Sequence, residues 1–288
     1  MSGAAQRLRD LVNRGEVIAA PGAHDVLDAR IIERVGHRAV YLGGNALALG
    51  LGKGQPFLTL TETAAITAQV TAAVALPAIV DAGAGFGAPE HVDVAVRELE
   101  RAGAAALHID DQPYPKSADY HRGRGALVAV DVMCERLQAA IAARPNDALS
   151  ILARTDALRV TGSLEQTIER IVAYAATGID GIVVLDLSHE QVGQVIAAVP
   201  QLSIYWIGGV HPPVPNLQIL GNAGFAVALY PFSGIAEITT RLGELWRGLA
   251  QSGDIIQNAD DLGRSLKEST SIADLERAWS INDRSGRS

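Results

Sequence analysis

Two aspartates, Asp81 and Asp110, and one arginine, Arg154, each close a short apolar run of the chain. Carboxylates of this kind are hard oxygen ligands, suited to Mg2+ (or Mn2+) held largely through water. Arg154 offers a planar fork that matches a carboxylate. Gly43 and Gly44 lack side chains, which leaves their backbone N–H groups open to a carbonyl oxygen or a carboxylate. Tyr41, Asn45 and His211 are further candidates to touch a substrate. Breaking a bond beside an α-carbonyl leaves an enolate, and its negative charge must be met by a cation or by preorganised donors. The set therefore describes an oxo-acid site. Each member also has a structural alternative. The aspartates either ligate or form caps and ion pairs, Arg154 either binds a ligand or pairs with Asp81 or Asp156, and the glycines either donate or permit a turn. His24, His108 and His211 read first as structural histidines, and Cys134, within the helical run Val130 to Ala142, as an inert thiol.

The elements that must position these residues alternate. Apolar runs over Val17–Ala20, Ala39–Gly43, Ala78–Asp81, Ala105–Asp110, Leu149–Arg154, Gly181–Leu185, Ser203–Ile207 and Ala226–Leu229 make eight strands. They are apolar almost throughout, as expected of parallel strands covered on both faces. Stretches with helical periodicity lie between them. Pro89–Ala102 opens on a proline and an acid, and Gly103 follows its end. Gly36 and Gly178 hold equivalent places before the second and sixth strands. The first strand runs into Pro21-Gly22-Ala23-His24-Asp25, which is no dinucleotide-binding turn, and this favours a (β/α)8 TIM barrel over an open doubly wound sheet. The reading is an α/β barrel over residues 1–250, with extra C-terminal helices and a polar tail over 251–288, Leu262–Ser269 and Ile272–Trp279 being the helical pieces.

Composition narrows the class of partner. The 288 residues are 48% apolar and 19% charged, with a net charge of −8 and no basic block, so nucleic acid and anionic membranes find no electrostatic footprint. No apolar run reaches the roughly 18 residues of a membrane span, and no leader-like start is visible. A single cysteine precludes an internal disulfide framework and suits a reducing cytoplasm. The expected partners are a small-molecule carboxylate and further copies of the chain, as a dimer or tetramer.

Four segments in chain order, Pro21-Gly22-Ala23-His24-Asp25, Val80-Asp81-Ala82-Gly83-Ala84-Gly85-Phe86-Gly87, His108-Ile109-Asp110-Asp111-Gln112 and Ala153-Arg154-Thr155-Asp156-Ala157, resemble the isocitrate lyase and phosphoenolpyruvate mutase superfamily. The resemblance covers about residues 17–240. It implies a Mg2+-dependent (β/α)8 barrel, commonly a tetramer with an exchanged C-terminal helix, that cleaves or forms C–C or C–P bonds beside a 2-oxo or 2-hydroxy carboxylate. Against that pattern Gly83 replaces a second aspartate, Asp110 a glutamate, Gly54 another acid, Gly43 a serine and Leu185 a glutamate, with Asp186 beside it. Ile207-Gly208-Gly209-Val210-His211-Pro212-Pro213 stands where an Asn-Met-Thr-Glu stretch is usual, so the substrate is expected to differ.

The segment after the fourth strand bears on the reaction. Lyases of the superfamily carry Lys-(Lys/Arg)-Cys-Gly-His there, whereas this chain runs from Pro115 to Gly125 without cysteine. Branches without that thiol include oxaloacetate decarboxylases and C–P bond enzymes, so isocitrate-type cleavage recedes. Tyr120 or His121 is the expected proton donor. Lys116, Arg122 and Arg124 are expected to close over an anion, with Gly123 and Gly125 as the flexible points of a lid. The leading expectation is a divalent-metal-dependent lyase or decarboxylase working through an enolate. C–P cleavage of a phosphonate and non-catalytic binding on a decayed site are the alternatives.

Overall fold

A computed structural model describes residues 2–122, 125–145, 147–212, 214–255, 257–273 and 275–285. Strands β1 (Ile18–Pro21), β2 (Val40–Leu42), β3 (Ala78–Asp81), β4 (Ala106–Asp110), β5 (Ser150–Thr155), β6 (Gly181–Val184), β7 (Ser203–Ile207) and β8 (Val227–Tyr230) pair in parallel, in the order β1-β8-β7-β6-β5-β4-β3-β2. One parallel bridge, Gly22 with Tyr41, and the bond from Ala23 N to Tyr41 O at 2.9 Å join β1 to β2 and complete the ring. The expected (β/α)8 barrel is thus observed, and each strand lies within one residue of its expected bounds.

Two apolar layers hold it together. Val40, Val80, Leu107, Ile151 and Ile182 point outward and meet the surrounding helices. The helix Pro89–Arg101 shows how: Val92, Val96 and Leu99, spaced four and three apart, are fully buried, and Gly103 at φ +94° turns the chain toward β4. Each such side chain contributes roughly 1.5–3 kcal/mol. Ile18, Tyr41, Ile79, Leu152, Val183, Tyr205 and Leu229 fill the barrel interior instead.

The helix Ser2–Val12 was not among the expected elements. Its Ala5 and Leu8 join the interior cluster, and Arg9 bonds Asp180 at 2.8 Å and the Ala148 carbonyl at 2.9 Å. It therefore plugs the end of the barrel opposite the site. At the other terminus Ser233–Ser252 is followed by helices Ala259–Ile272 and Leu275–Arg284. The break expected after Ser269 falls after Ile272, and the hydroxyls of Ser269 and Thr270 bond back to the carbonyls of Ser265 and Leu266 within the continuing helix. Arg30 donates to the Ile272 carbonyl and Arg34 to Ser271, which ties this segment to the helix Val26–Arg34. No helix among the described residues is long and apolar enough to cross a membrane.

Candidate active site at the carboxyl ends of the strands

Parallel strands deliver all their carboxyl ends to one mouth, where barrel enzymes carry their chemistry. Asp81 closes β3, Asp110 closes β4 and Arg154 lies near the end of β5, with Asp110 paired in register to Arg154. All three are buried. A cavity of about 850 Å3 opens above them, and Tyr41, Gly43, Asn45, Asp81, Tyr120 and Arg154 reach its wall. Five of the expected substrate contacts, Tyr41, Gly43, Asn45, Arg154 and His211, thus share one space.

The guanidinium of Arg154 is locked by Asp156. Nε donates to Oδ1 at 2.9 Å and Nη2 to Oδ2 at 3.3 Å, while Nη1 lies 3.9 Å from Asp81 Oδ2. Burial works against the arginine's charge, yet Asp156 foremost holds its pKa well above the ordinary value. For Asp156 burial acts to raise the pKa, and Arg154 outweighs it and keeps the carboxyl below the usual range. Gln112 Nε2 adds a bond to Asp156 Oδ2 at 2.5 Å. Beneath them Asp111 accepts from Thr155 Oγ1 at 2.7 Å, Asp156 N at 3.0 Å and Tyr174 Oη at 2.9 Å, which fixes the β4 and β5 ends against each other.

Asp81 is held from two loops. Oδ1 accepts from Gly83 N at 2.8 Å and Oδ2 from Gly44 N at 3.1 Å. The expectation that Gly44 offers a free N–H to substrate is therefore corrected: that N–H already serves Asp81. Burial acts to raise the Asp81 pKa, but His108, Lys116 and Arg154 draw it well below the carboxylate range. His108 is itself kept below its ordinary value by burial, so Lys116 and Arg154 are the charges that count. Its Nε2 meets Tyr41 Oη at 2.8 Å, and its Nδ1 is 3.8 Å from Asp81 Oδ1 without a hydrogen-bond partner. Tyr41, raised by burial and by Asp81, stays a neutral phenol inside the barrel.

The segment after β4 divides. The Lys116 ammonium forms an ion pair with Asp110 Oδ2, their side chains 9% and 0% exposed. Tyr120, in the short helical turn Ala118–Arg122, accepts from Arg154 Nη2 at 3.3 Å and from Arg159 Nη1 at 3.4 Å. Burial first, with Asp156, raises the Tyr120 pKa, so the phenol stays protonated. Arg122 is turned to solvent, 3.7 Å from Asp119, and is not part of the cavity wall, which corrects its assignment as a substrate contact. The His121 side chain, Gly123 and Arg124 lie outside the described residues. His211 is exposed on the cavity rim, beside Val210 and Pro212. Asp186, next to the position where Leu185 replaces an acid, lies on the cavity wall and pairs with Arg159 through two bonds of 2.7 and 2.6 Å.

Sequence reasoning passed over residues behind the cavity wall as well as on it. Asp156 was named only as a possible partner of Arg154, although its place two residues on from that arginine carries the signal. Gln55, Trp206 and Phe232 also line the cavity, and no local pattern marks them.

A divalent ion, implied by the resemblance, can be tested against this donor set. Asp110 Oδ1 accepts from Gln112 N at 3.3 Å, so all four oxygens of Asp81 and Asp110 already face a proton donor. Among the described residues the one trio of ligating side chains within reach of each other is His24, Asp25 and Asp28, at the start of another helix. In this arrangement the residues do not fit a divalent ion.

Fold and site together define a (β/α)8 barrel whose mouth is built to receive a carboxylate. The chain belongs to the phosphoenolpyruvate phosphomutase family, whose profile matches residues 8–240. It is 32% identical over 279 residues to 2,3-dimethylmalate lyase of Eubacterium barkeri, covering 95% of each chain. Among solved structures it resembles oxaloacetate acetylhydrolase in complex with the inhibitor 3,3-difluorooxalacetate, with a TM-score of 0.89 and 25% identity over 100% of this chain and 98% of that one. The fold is also that of phosphonopyruvate hydrolase, solved with oxalate and Mg2+, at a TM-score of 0.87 and 22% identity over 98% of each chain.

Proposed function

We propose that this protein is a carbon–carbon lyase that breaks the bond beside the carbonyl or hydroxyl carbon of a small 2-oxo or 2-hydroxy carboxylate. The observation that carries this reading is Arg154, buried and braced by Asp156, with Nη1 left at the cavity beside Asp81. A substrate carboxylate seated there brings its 2-oxygen to the floor formed by Asp81, Gly43 and Tyr41. For a 2-oxo acid the bond between C3 and the terminal carboxylate carbon breaks, that carbon leaves as CO2, and the electron pair enters the C2–C3 enolate, whose charge gathers on the 2-oxygen. Tyr120 then gives its proton to the carbon. Arg154 and Arg159, both within 3.4 Å of the phenol oxygen, stabilise the phenolate that remains.

The cavity leaves room for the departing fragment. Leu185, Leu187, Trp206, Ile207, Pro231 and Phe232 give its wall apolar surface, and Asn45, Arg159, Ser188, His189 and His211 give it polar groups that can face a second carboxylate. C–P cleavage is supported less well, since Arg122 faces solvent and does not clamp a phosphonate. Copies of the chain associate through the C-terminal helices, and a reducing cytoplasm suits its one cysteine.

The test is product analysis by NMR with a panel of 2-oxo acids, 2-hydroxy acids and phosphonates. Cleavage of a 2-oxo or 2-hydroxy acid, abolished in Arg154→Met, is expected. Phosphate release from a phosphonate would move the protein to the C–P class. Tight binding of oxo acids without turnover of any of them would make it a binding protein.

A further inference from the structure

We propose that the ammonium of Lys116 is the resident cation of this site and takes the place of a divalent ion opposite the developing oxyanion. The inference rests on the lyase reading above and names the group that would meet the enolate charge.

Three observations converge on it. Lys116 reaches from the segment after β4 into the interior, where Nζ pairs with Asp110 Oδ2 and both side chains are nearly or fully buried. Its terminal carbons run past Gly83, the position where the resemblance implies a second metal-shell aspartate. A Cβ at residue 83 would stand 3.4 Å from Lys116 Cε and 3.8 Å from Nζ. Any longer side chain at 83 would contend with the ammonium for the same space, and glycine leaves that space to the lysine. Finally, Lys116, Gly83, Asp81, Gly44 and Gln55 line a slot of about 30 Å3, room for about two waters beside the ammonium, and Asp81 and Gln55 also line the larger cavity.

Beside Asp81, Asp110 and Asp156, Lys116 and Arg154 are positive charges held at the mouth. The remaining N–H groups of Lys116 are donors to an oxygen seated over Asp81, and an ammonium carries three of them. The glycine at 83 and the aspartate in place of a longer glutamate at 110 then belong together: one makes room for the lysine, and the other holds it.

The experiment uses the full chain, treated with EDTA and dialysed. Manganese binding is followed by electron paramagnetic resonance, and binding of oxalate, an enolate mimic, by calorimetry, so neither readout depends on turnover. The wild-type protein is expected to bind no stoichiometric Mn2+ at 1 mM and to bind oxalate equally well with and without metal. Lys116→Met should weaken oxalate at least about 30-fold, and Gly83→Asp combined with Lys116→Met should gain a Mn2+ site. Should Lys116→Met alone fail to fold, Lys116→Met with Asp110→Asn removes the charge pair together, and the same loss of oxalate binding is expected. One tightly bound Mn2+ in the wild-type protein, with oxalate binding lost on chelation, would overturn the proposal. If metal-free oxalate binding depends on Lys116 but no acid is cleaved, the cation assignment stands and the lyase reading falls.

Discussion

Arg154 owes its place to a residue two positions on. Asp156 takes one edge of the guanidinium, so the remaining nitrogen is aimed without help from a substrate. A lysine cannot bond Asp156 and reach the cavity at once. Arg154→Lys is expected to lower kcat/KM for the cleaved acid by about 100-fold or more, measured in steady state. Arg154→Met leaves Asp156 buried without its partner and should cost about 3–5 kcal/mol in urea unfolding. The pair also sets an acid limit. The Asp156 pKa is depressed in the folded state, so its contribution is fully present above the unfolded value of about 3.9 and is lost as pH falls through the lower folded value. Urea midpoints should therefore fall below about pH 4, and Asp156→Asn should flatten that fall.

At the scale of elements, the loop after β3 turns under Asp81 with Gly83 at φ +55°, Gly85 at +74° and Phe86 at +59°. Gly85 also faces Val92, since a Cβ there would lie 2.4 Å from Val92 Cγ2 on the helix Pro89–Arg101. Gly85→Ala combines left-handed strain with overpacking and should destabilise by about 2–5 kcal/mol. Gly15 has nearly the same φ, +77°, with open space beyond it. Gly15→Ala should cost only about 1–2 kcal/mol, and thermal unfolding of the two variants separates strain from packing. The alternation of apolar runs and amphipathic stretches made the eight strands legible. The N-terminal helix was missed because its cue, Ala5 and Leu8 three residues apart, is too brief to stand out until the barrel's open end gives it something to plug.

For the whole molecule, the C-terminal helices Ala259–Ile272 and Leu275–Arg284 leave Leu266 70% and Trp279 53% exposed. Side chains of this size in one segment are those that the proposed association of copies would cover. Leu266→Glu with Trp279→Glu should lower the mass seen in light scattering at micromolar concentration while cleavage of the substrate persists. An unchanged mass would place the contact elsewhere.

By itself the sequence determined the barrel and the identities of Asp81, Asp110 and Arg154, because strand and helix periods are local and strand ends in a parallel barrel converge. Tertiary structure decided who meets whom. Gly44 bonds Asp81 from 37 residues away, and Gln112 reaches Asp156 across 44. Lys116 settles on Asp110 because a side-chain-free position at 83 leaves it room. Such pairings depend on strand register and on the space between loops, and no local pattern carries either.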